Sequence, residues 1–181
     1  MNIIVKPYGS DLCYCRPDTT WERENRDFYS PECVNEIYYT PVVFARVCKA
    51  GKCVGAKFVE RYYDGIGCGV LLYGASEAGM ISYIDKSSIL PAPLYDPAVM
   101  EDEKVFEMTA AGETKQVAVN VVKEKIEQTI CKSSELITLR VGDYVAVELE
   151  PAQLMCKREA GEVAISGRFC ENDTYNLKVI F

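Results

Sequence analysis

Residues 38–74 read YYTPVVFARVCKAGKCVGAKFVERYYDGIGCGVLLYG, and their pattern decides the fold class. Val42 to Cys48 is dense in β-branched and aromatic residues, which suit a pleated and half-buried surface, so the run predicts a strand. Lys49-Ala50-Gly51-Lys52 carries turn residues, and Cys53-Val54 is expected to begin the return of a hairpin. A short helical segment follows, with Phe58 and Tyr62, and Val59 and Tyr63, four apart on one face. Gly65 stands just past it, where a left-handed C-cap is favoured. Cys68 to Tyr73 is continuously apolar, as a strand buried on both faces must be. Strand, hairpin, one short helix and buried strand together predict an α+β core.

Toward the N-terminus, Met1 to Pro7 reads as a first strand. Residues 9–36 are polar and aromatic, with turn residues at Pro17-Asp18 and Ser30-Pro31, and are expected to form a surface excursion. Within it Trp21 is read as the cover of a core edge, the alternative being a partner-binding anchor. Toward the C-terminus, Gly74 to Gly79 is small and flexible in composition, Met80 to Asp85 predicts a short strand, and Ser87 to Pro97, with three prolines, predicts a loop. Val105 to Val119 has the form of a β-hairpin turning at Ala111-Gly112-Glu113. Asn120 can cap the helix after it, in which Val122, Ile126 and Ile130 recur every fourth position as a core-facing stripe, with Lys123 and Glu127 near the opposite side. Gly142-Asp143 reads as a tight turn into a strand from Tyr144 to Leu149. A terminal hairpin is expected from Val163 to Phe169 and Tyr175 to Phe181.

The 181 residues suit one domain with a substantial core. With 49% apolar and 26% charged residues the chain reads as globular rather than disordered. The net charge of −7 argues against a general nucleic-acid binder. No apolar run approaches the roughly 18 residues of a membrane span, and no secretory signal pattern stands at the start. There are nine cysteines and no histidine. The cysteine spacings repeat no metal-binding pair, so reduced thiols of a cytoplasmic protein are expected. Without histidine, neither a histidine-based catalytic dyad nor a histidine-ligated metal exists.

The segment Lys57-Phe58, Arg61-Tyr62-Tyr63-Asp64, Ile66-Gly67 and Gly69-Val70 resembles a motif of the fumarylacetoacetate hydrolase family. Thr138-Leu139-Arg140-Val141-Gly142-Asp143-Tyr144-Val145 is similar to a second motif of that family, and Lys6-Pro7 to a third. The resemblance implies a β-rich α+β fold: a rolled, mixed β-sheet with few short helices, commonly paired into homodimers. It places the whole chain, residues 1–181, in one such domain, lacking the family's N-terminal leader. The family holds magnesium or manganese on two glutamates of one strand and an aspartate of the next. The matching positions here are Thr40, Val42 and Leu71, none of which carries a carboxylate, so no metal cofactor is expected. The family's Glu-His pair for activating water has no counterpart.

Glu150 falls where the family places a threonine facing the substrate's carboxylate. A like charge at ~4 Å costs about 1 to 4 kcal/mol depending on exposure, so Glu150 is expected to repel an anionic ligand. Three readings follow. The first is a non-catalytic relative that keeps the scaffold for binding or assembly, with no catalytic residue. The second is a metal-dependent hydrolase, decarboxylase or isomerase of acylpyruvate-like oxo-acids, its site rebuilt from Glu60, Asp64, Asp85 and Glu150. The third is an interaction protein using the surface from Glu22 to Tyr39.

Overall fold

The computed structural model describes residues 1–181 as two sheets around a shared interior, with one α-helix. The elements in chain order are β1 (Asn2–Lys6), β2 (Tyr14–Pro17), β3 (Trp21–Glu22), β4 (Phe28–Tyr29), β5 (Glu36–Val47), β6 (Tyr63–Ser76), β7 (Gly79–Ile81), β8 (Ser88–Ile89), β9 (Val105–Ala110), β10 (Glu113–Ala118), α1 (Lys123–Leu136), β11 (Tyr144–Glu148), β12 (Gln153–Lys157), β13 (Glu162–Phe169) and β14 (Asn172–Ile180). The first sheet runs β2-β1-β11-β5-β6-β8-β3, with β12 also on β5 and β7 on β6. The second runs β10-β9-β13-β14-β4. β1 lies parallel to β11, β3 to β8 and β14 to β4, and the other pairs are antiparallel, so the sheets are mixed as expected.

The long β5–β6 pair is the spine. Its register runs from Glu36 opposite Ala75 to Val47 opposite Tyr63. One face of the pair, with Val43, Ala45, Cys68, Val70 and Leu72, joins Phe106, Met108, Ile165, Leu177 and Val179 of the second sheet in a core of 35 buried residues. The other face carries a separate buried cluster of nine. Burial on both faces is why β5 and β6 read as unbroken apolar runs instead of alternating ones. Glycine is required where β6 meets its neighbours. A Cβ on Gly69 would stand 2.3 Å from the carbonyl oxygen of Ile89, and one on Gly67 would stand 2.3 Å from the Phe44 ring.

Helix α1 docks as its stripe predicts: Val122, Ile126 and Ile130 are fully buried. Burying each such side chain contributes about 1.5–3 kcal/mol. The β9–β10 hairpin, the turn at Gly142 (φ +89°), the strand after it and the terminal hairpin all form where the sequence places them. Trp21 lies edge-on to Tyr144, centroids 5.2 Å apart, and its Nε1 donates to the Leu90 carbonyl, closing a core edge.

Several local expectations are corrected. The return from β5 is not Cys53-Val54 but β6 itself. Gly51 bridges to Leu139, and the amides of Cys53 and Val54 donate to the carbonyl and hydroxyl of Ser134, tying the loop to the end of α1. The segment Ala56–Tyr62 is a 3-10 helix with three residues per turn, so positions four apart do not share a face. Val59 is buried there, whereas Phe58 is exposed. Gly65 is no cap, because the helix ends at Tyr63 in extended backbone (φ −135°) and Gly65 lies inside β6.

Asn120 does not cap α1 either. The helix starts at Lys123, and Val122 precedes it without a side-chain cap. Lys123 pairs with Glu60 and Glu101 instead of Glu127, whose carboxylate accepts from the Tyr63 hydroxyl at 2.9 Å. The expected strand from Met80 to Asp85 is shorter, Gly79–Ile81, and extends β6 as a hairpin from Ser76. Two residues of the expected loop, Ser88–Ile89, add a strand to β6.

The largest correction concerns residues 9–36. They supply β2, β3 and β4 to both sheets, and Arg16, Thr20, Glu22 and Phe28 are buried. Much of the segment is nonetheless exposed, Asp11, Leu12, Asp18, Thr19 and Arg23 to Arg26 among it, so the surface excursion holds in part and is pinned to both sheets by these buried residues. The surface expected from Glu22 to Tyr39 is interrupted, since Phe28, Val34, Ile37 and Tyr39 belong to the core, while Arg23 to Arg26, Tyr29, Glu32, Cys33 and Asn35 remain exposed.

Candidate functional site

The β5–β6 ladder sets Thr40 opposite Leu71 and Val42 opposite Gly69. Neighbouring β11 sets Glu148 opposite Val42. Side chains two apart on a strand share a face, so Thr40, Val42, Leu71, Tyr73 and Glu148 gather on one side of the first sheet. The structure thus brings together the three positions singled out by resemblance. All three are fully buried. Val42 and Leu71 pack with Ile3, Val5, Phe44, Tyr73, Leu90, Tyr144 and Ala146. The Thr40 hydroxyl donates to the Glu150 carbonyl at 2.6 Å.

A magnesium- or manganese-type ion needs oxygen ligands, carboxylates above all. Val42 and Leu71 offer hydrocarbon, and Thr40 offers a single neutral hydroxyl, whose proton is given to the backbone. Nowhere in the chain do three or more Cys, Asp or Glu side chains gather in a way that could hold a metal ion. The residues present do not fit the ion that the family resemblance implies.

The four acids considered for a rebuilt site do not converge. Glu60 reaches Lys123, Asp64 forms a two-pronged pair with Arg46 at 2.9 and 3.0 Å, and Asp85 is exposed. The Glu150 carboxylate turns toward the second sheet, where Lys115 approaches within 3.3 Å and Gln153 donates to it at 3.0 Å. Its charge is neutralised there, so the expected repulsion of an anion by Glu150 is corrected.

The acid that does face this side of the sheet is Glu148, which sequence reasoning missed. It is buried, and one carboxylate oxygen accepts from the Tyr8 amide at 2.8 Å while the other accepts from the Tyr73 hydroxyl. A carboxylate is acceptor-only, so the Tyr73 proton points to it. The Tyr14 hydroxyl therefore donates to Tyr73, oxygen to oxygen 2.6 Å. Arg16 Nε lies 3.5 Å behind Tyr14. The result is a directed row from Arg16 through two phenols to Glu148. Strand alternation in Tyr144-Val145-Ala146-Val147-Glu148 was the available signal, since it aligns Glu148 with Tyr144 and Ala146.

Arg16 is 1% exposed. The two N–H groups of its Nη1 are shared among the Leu72 and Ser87 carbonyls and the Ser87 and Ser88 hydroxyls, at 3.1 to 3.4 Å. The guanidinium carbon also sits 4.4 Å from the Tyr73 ring centre. Burial pushes the Tyr73 phenol far above its ordinary range; the Arg16 charge opposes this, and Tyr14 and Glu148 add to it. Tyr73 thus remains a hydrogen-bond donor throughout the physiological pH range. Where the row meets solvent, a cleft of about 320 Å³ opens between Pro7, Tyr14, Tyr73, Met80, Glu148 and Ala152. On the far side of Glu148 a second hollow, of about 380 Å³, is bordered by Lys6, Ser10 and Lys125.

No family model matches the chain, and no curated protein sequence does. Solved structures match it closely in shape. A protein of Yersinia pestis CO92 described as a fumarylacetoacetate hydrolase family member superposes with a TM-score of 0.79 at 15% identity, over 99% of this chain and 92% of that one. Fumarylpyruvate hydrolase from Pseudomonas aeruginosa, in complex with Mn2+ and pyruvate, gives 0.74 at 14%, over 99% and 96%. The 5-carboxymethyl-2-hydroxymuconate delta-isomerase of Mycobacterium smegmatis gives 0.80 at 12%, over 99% and 78%. This chain has the fumarylacetoacetate hydrolase fold. The resemblance carried by Lys57–Val70 and Thr138–Val145 is thereby borne out at the level of architecture.

Proposed function

We propose that this chain is a diverged relative of the fumarylacetoacetate hydrolases that keeps their scaffold for binding or assembly and has given up metal-dependent chemistry. The observation that carries the reading is the packing of Val42 and Leu71 in an apolar cluster of nine buried residues, with Thr40 bonded to the backbone beside them. Hydrocarbon at those positions excludes both the ion and the water an ion would activate. No helix is long and apolar enough to cross a membrane. A homodimer in the cytoplasm completes the proposal, its support being the family resemblance and nine unpaired cysteines. Calorimetric titration with Mn2+ and Mg2+ tests the central point: no binding at micromolar strength is expected, and such binding would overturn it. Light scattering on the eluted protein tests the dimer.

A second reading is an active hydrolase or isomerase of acylpyruvate-like compounds, the kind of protein that its structural neighbours are named for. Its support is Glu148, a buried carboxylate on the equivalent face, hydrogen-bonded to a phenol at the floor of a cleft. Turnover of an acylpyruvate that is lost in Glu148→Gln would favour this reading over the first.

A further inference from the structure

We infer that the cleft over Tyr14 and Tyr73 binds a small organic cation, a primary ammonium on an apolar or aromatic body. The inference rests on the reading above, in which no metal ion occupies this face. Among the residues bordering the cleft, Pro7, Tyr14, Tyr73, Met80, Ser82, Glu148 and Ala152, Glu148 alone carries a charge. Arg16 stacks behind the Tyr73 ring and does not border the cleft. Lys6 and Lys125 border the other hollow, which Glu148 also lines, and neither borders this cleft.

Each Glu148 oxygen accepts one hydrogen bond from within the chain. A carboxylate oxygen has room for two, so each keeps a lone pair for a ligand N–H. Low exposure of that carboxylate strengthens a charge-assisted bond to it. The two phenol rings and the Met80 thioether supply faces on which an apolar body and its cationic end both rest favourably. The pocket expected from the family resemblance receives a carboxylate, whereas here the lining charge has the opposite preference. An anionic ligand would meet Glu148 with no cation beside it in this cleft.

The test uses the whole protein and 2-phenylethylamine, compared with neutral 2-phenylethanol and anionic 3-phenylpropionate, by calorimetry or by amide shift mapping. The amine is expected to bind about tenfold or more tightly than the alcohol, one charge-assisted hydrogen bond's worth, and the propionate more weakly still. Glu148→Gln is expected to erase that preference. Because a buried substitution can unfold the protein, Met80→Lys serves as a second variant: Met80 is exposed, so the fold tolerates it, and the new cation at the rim should weaken the amine several-fold. Equal or tighter binding of the alcohol or the propionate, no amine binding at millimolar concentration, or amine affinity unchanged in folded Glu148→Gln or Met80→Lys would overturn the inference. Pyruvate that binds only when Mn2+ is added would instead overturn the loss of the metal, so the two failures are distinguishable.

Discussion

Leu71→Asp restores one carboxylate at a position the resemblance assigns to a metal ligand, and its cost can be worked from the site. Leu71 is fully buried, so the exchange forfeits about 2–3 kcal/mol of apolar burial. With no cation beside it, the new carboxyl avoids burying a charge by keeping its proton. At pH 7 that costs about 4 kcal/mol, roughly three pKa units above an ordinary aspartate. The neutral acid also needs partners. Thr40, directly opposite, already donates to Glu150, so it can accept the acid's proton but cannot donate to the acid's other oxygen, and leaving that oxygen unpartnered costs a further ~1–3 kcal/mol. The total, about 7 kcal/mol or more, rivals the ~5–15 kcal/mol that holds a typical domain folded.

Leu71→Asn separates the charge from the lost packing, since it removes the hydrocarbon without adding an ionisable group. The folded state raises the carboxyl's pKa, and the unfolded chain releases its proton above about pH 4. Stability therefore falls as pH rises through that value. The gap between Leu71→Asp and Leu71→Asn should be about 4 kcal/mol at pH 7 and about 1.5 kcal/mol at pH 5. Urea denaturation at the two pH values measures it. Mn2+ a hundredfold above its Kd would contribute about 2.7 kcal/mol if the acid met other ligands, and no such gain is expected. Equal stability of the two variants at pH 7, or a melting temperature raised by Mn2+ in Leu71→Asp or in the unaltered protein, would refute the reasoning.

Arg16→Met should cost about 3 kcal/mol, because two carbonyls and two hydroxyls lose a charged donor inside the protein; Arg16→Lys should not restore it fully, since its single nitrogen sits one bond short of Nη1 and cannot also serve the Tyr14 hydroxyl, to which Arg16 Nε donates at 3.5 Å. Urea midpoints for both variants give the answer. Gly69→Ala should cost about 1–3 kcal/mol, as the added methyl meets the Ile89 carbonyl and either β6 or β8 must move, while Gly55→Ala, at φ −79° with nothing within 4 Å, should be neutral or slightly stabilising by thermal melting. In a timed reaction with a thiol reagent at pH 8, exposed Cys33 and Cys53 should react first, ahead of Cys15, whose thiol is pushed up by burial and by Asp143. Buried Cys68, its thiol pushed well above the ordinary range by burial, and Cys156, pushed up to about 11 by burial, should react last, and only as the fold opens.

Local pattern decided what depends on local pattern. The apolar runs of β5 and β6, the stripe of α1, the turn at Gly142 and two motifs matching a known family were enough to determine a β-rich α+β fold, because burial on two faces, on one stripe or at a tight turn each leaves its own spacing. The absence of carboxylates at Thr40, Val42 and Leu71 is likewise a property of the letters alone. What faces what is different. Arg16 and Glu22 look like surface residues in sequence, and only the placement of β2 and β3 on the first sheet buries them. Glu150 and Glu148 are two residues apart, yet one is paired by a lysine of the second sheet and the other joins two tyrosines from β2 and β6. Those partners lie from 35 to 134 positions away along the chain, by the difference of their numbers. Charge neutralisation and hydrogen-bond direction depend on distance in space, so the tertiary structure had to decide them.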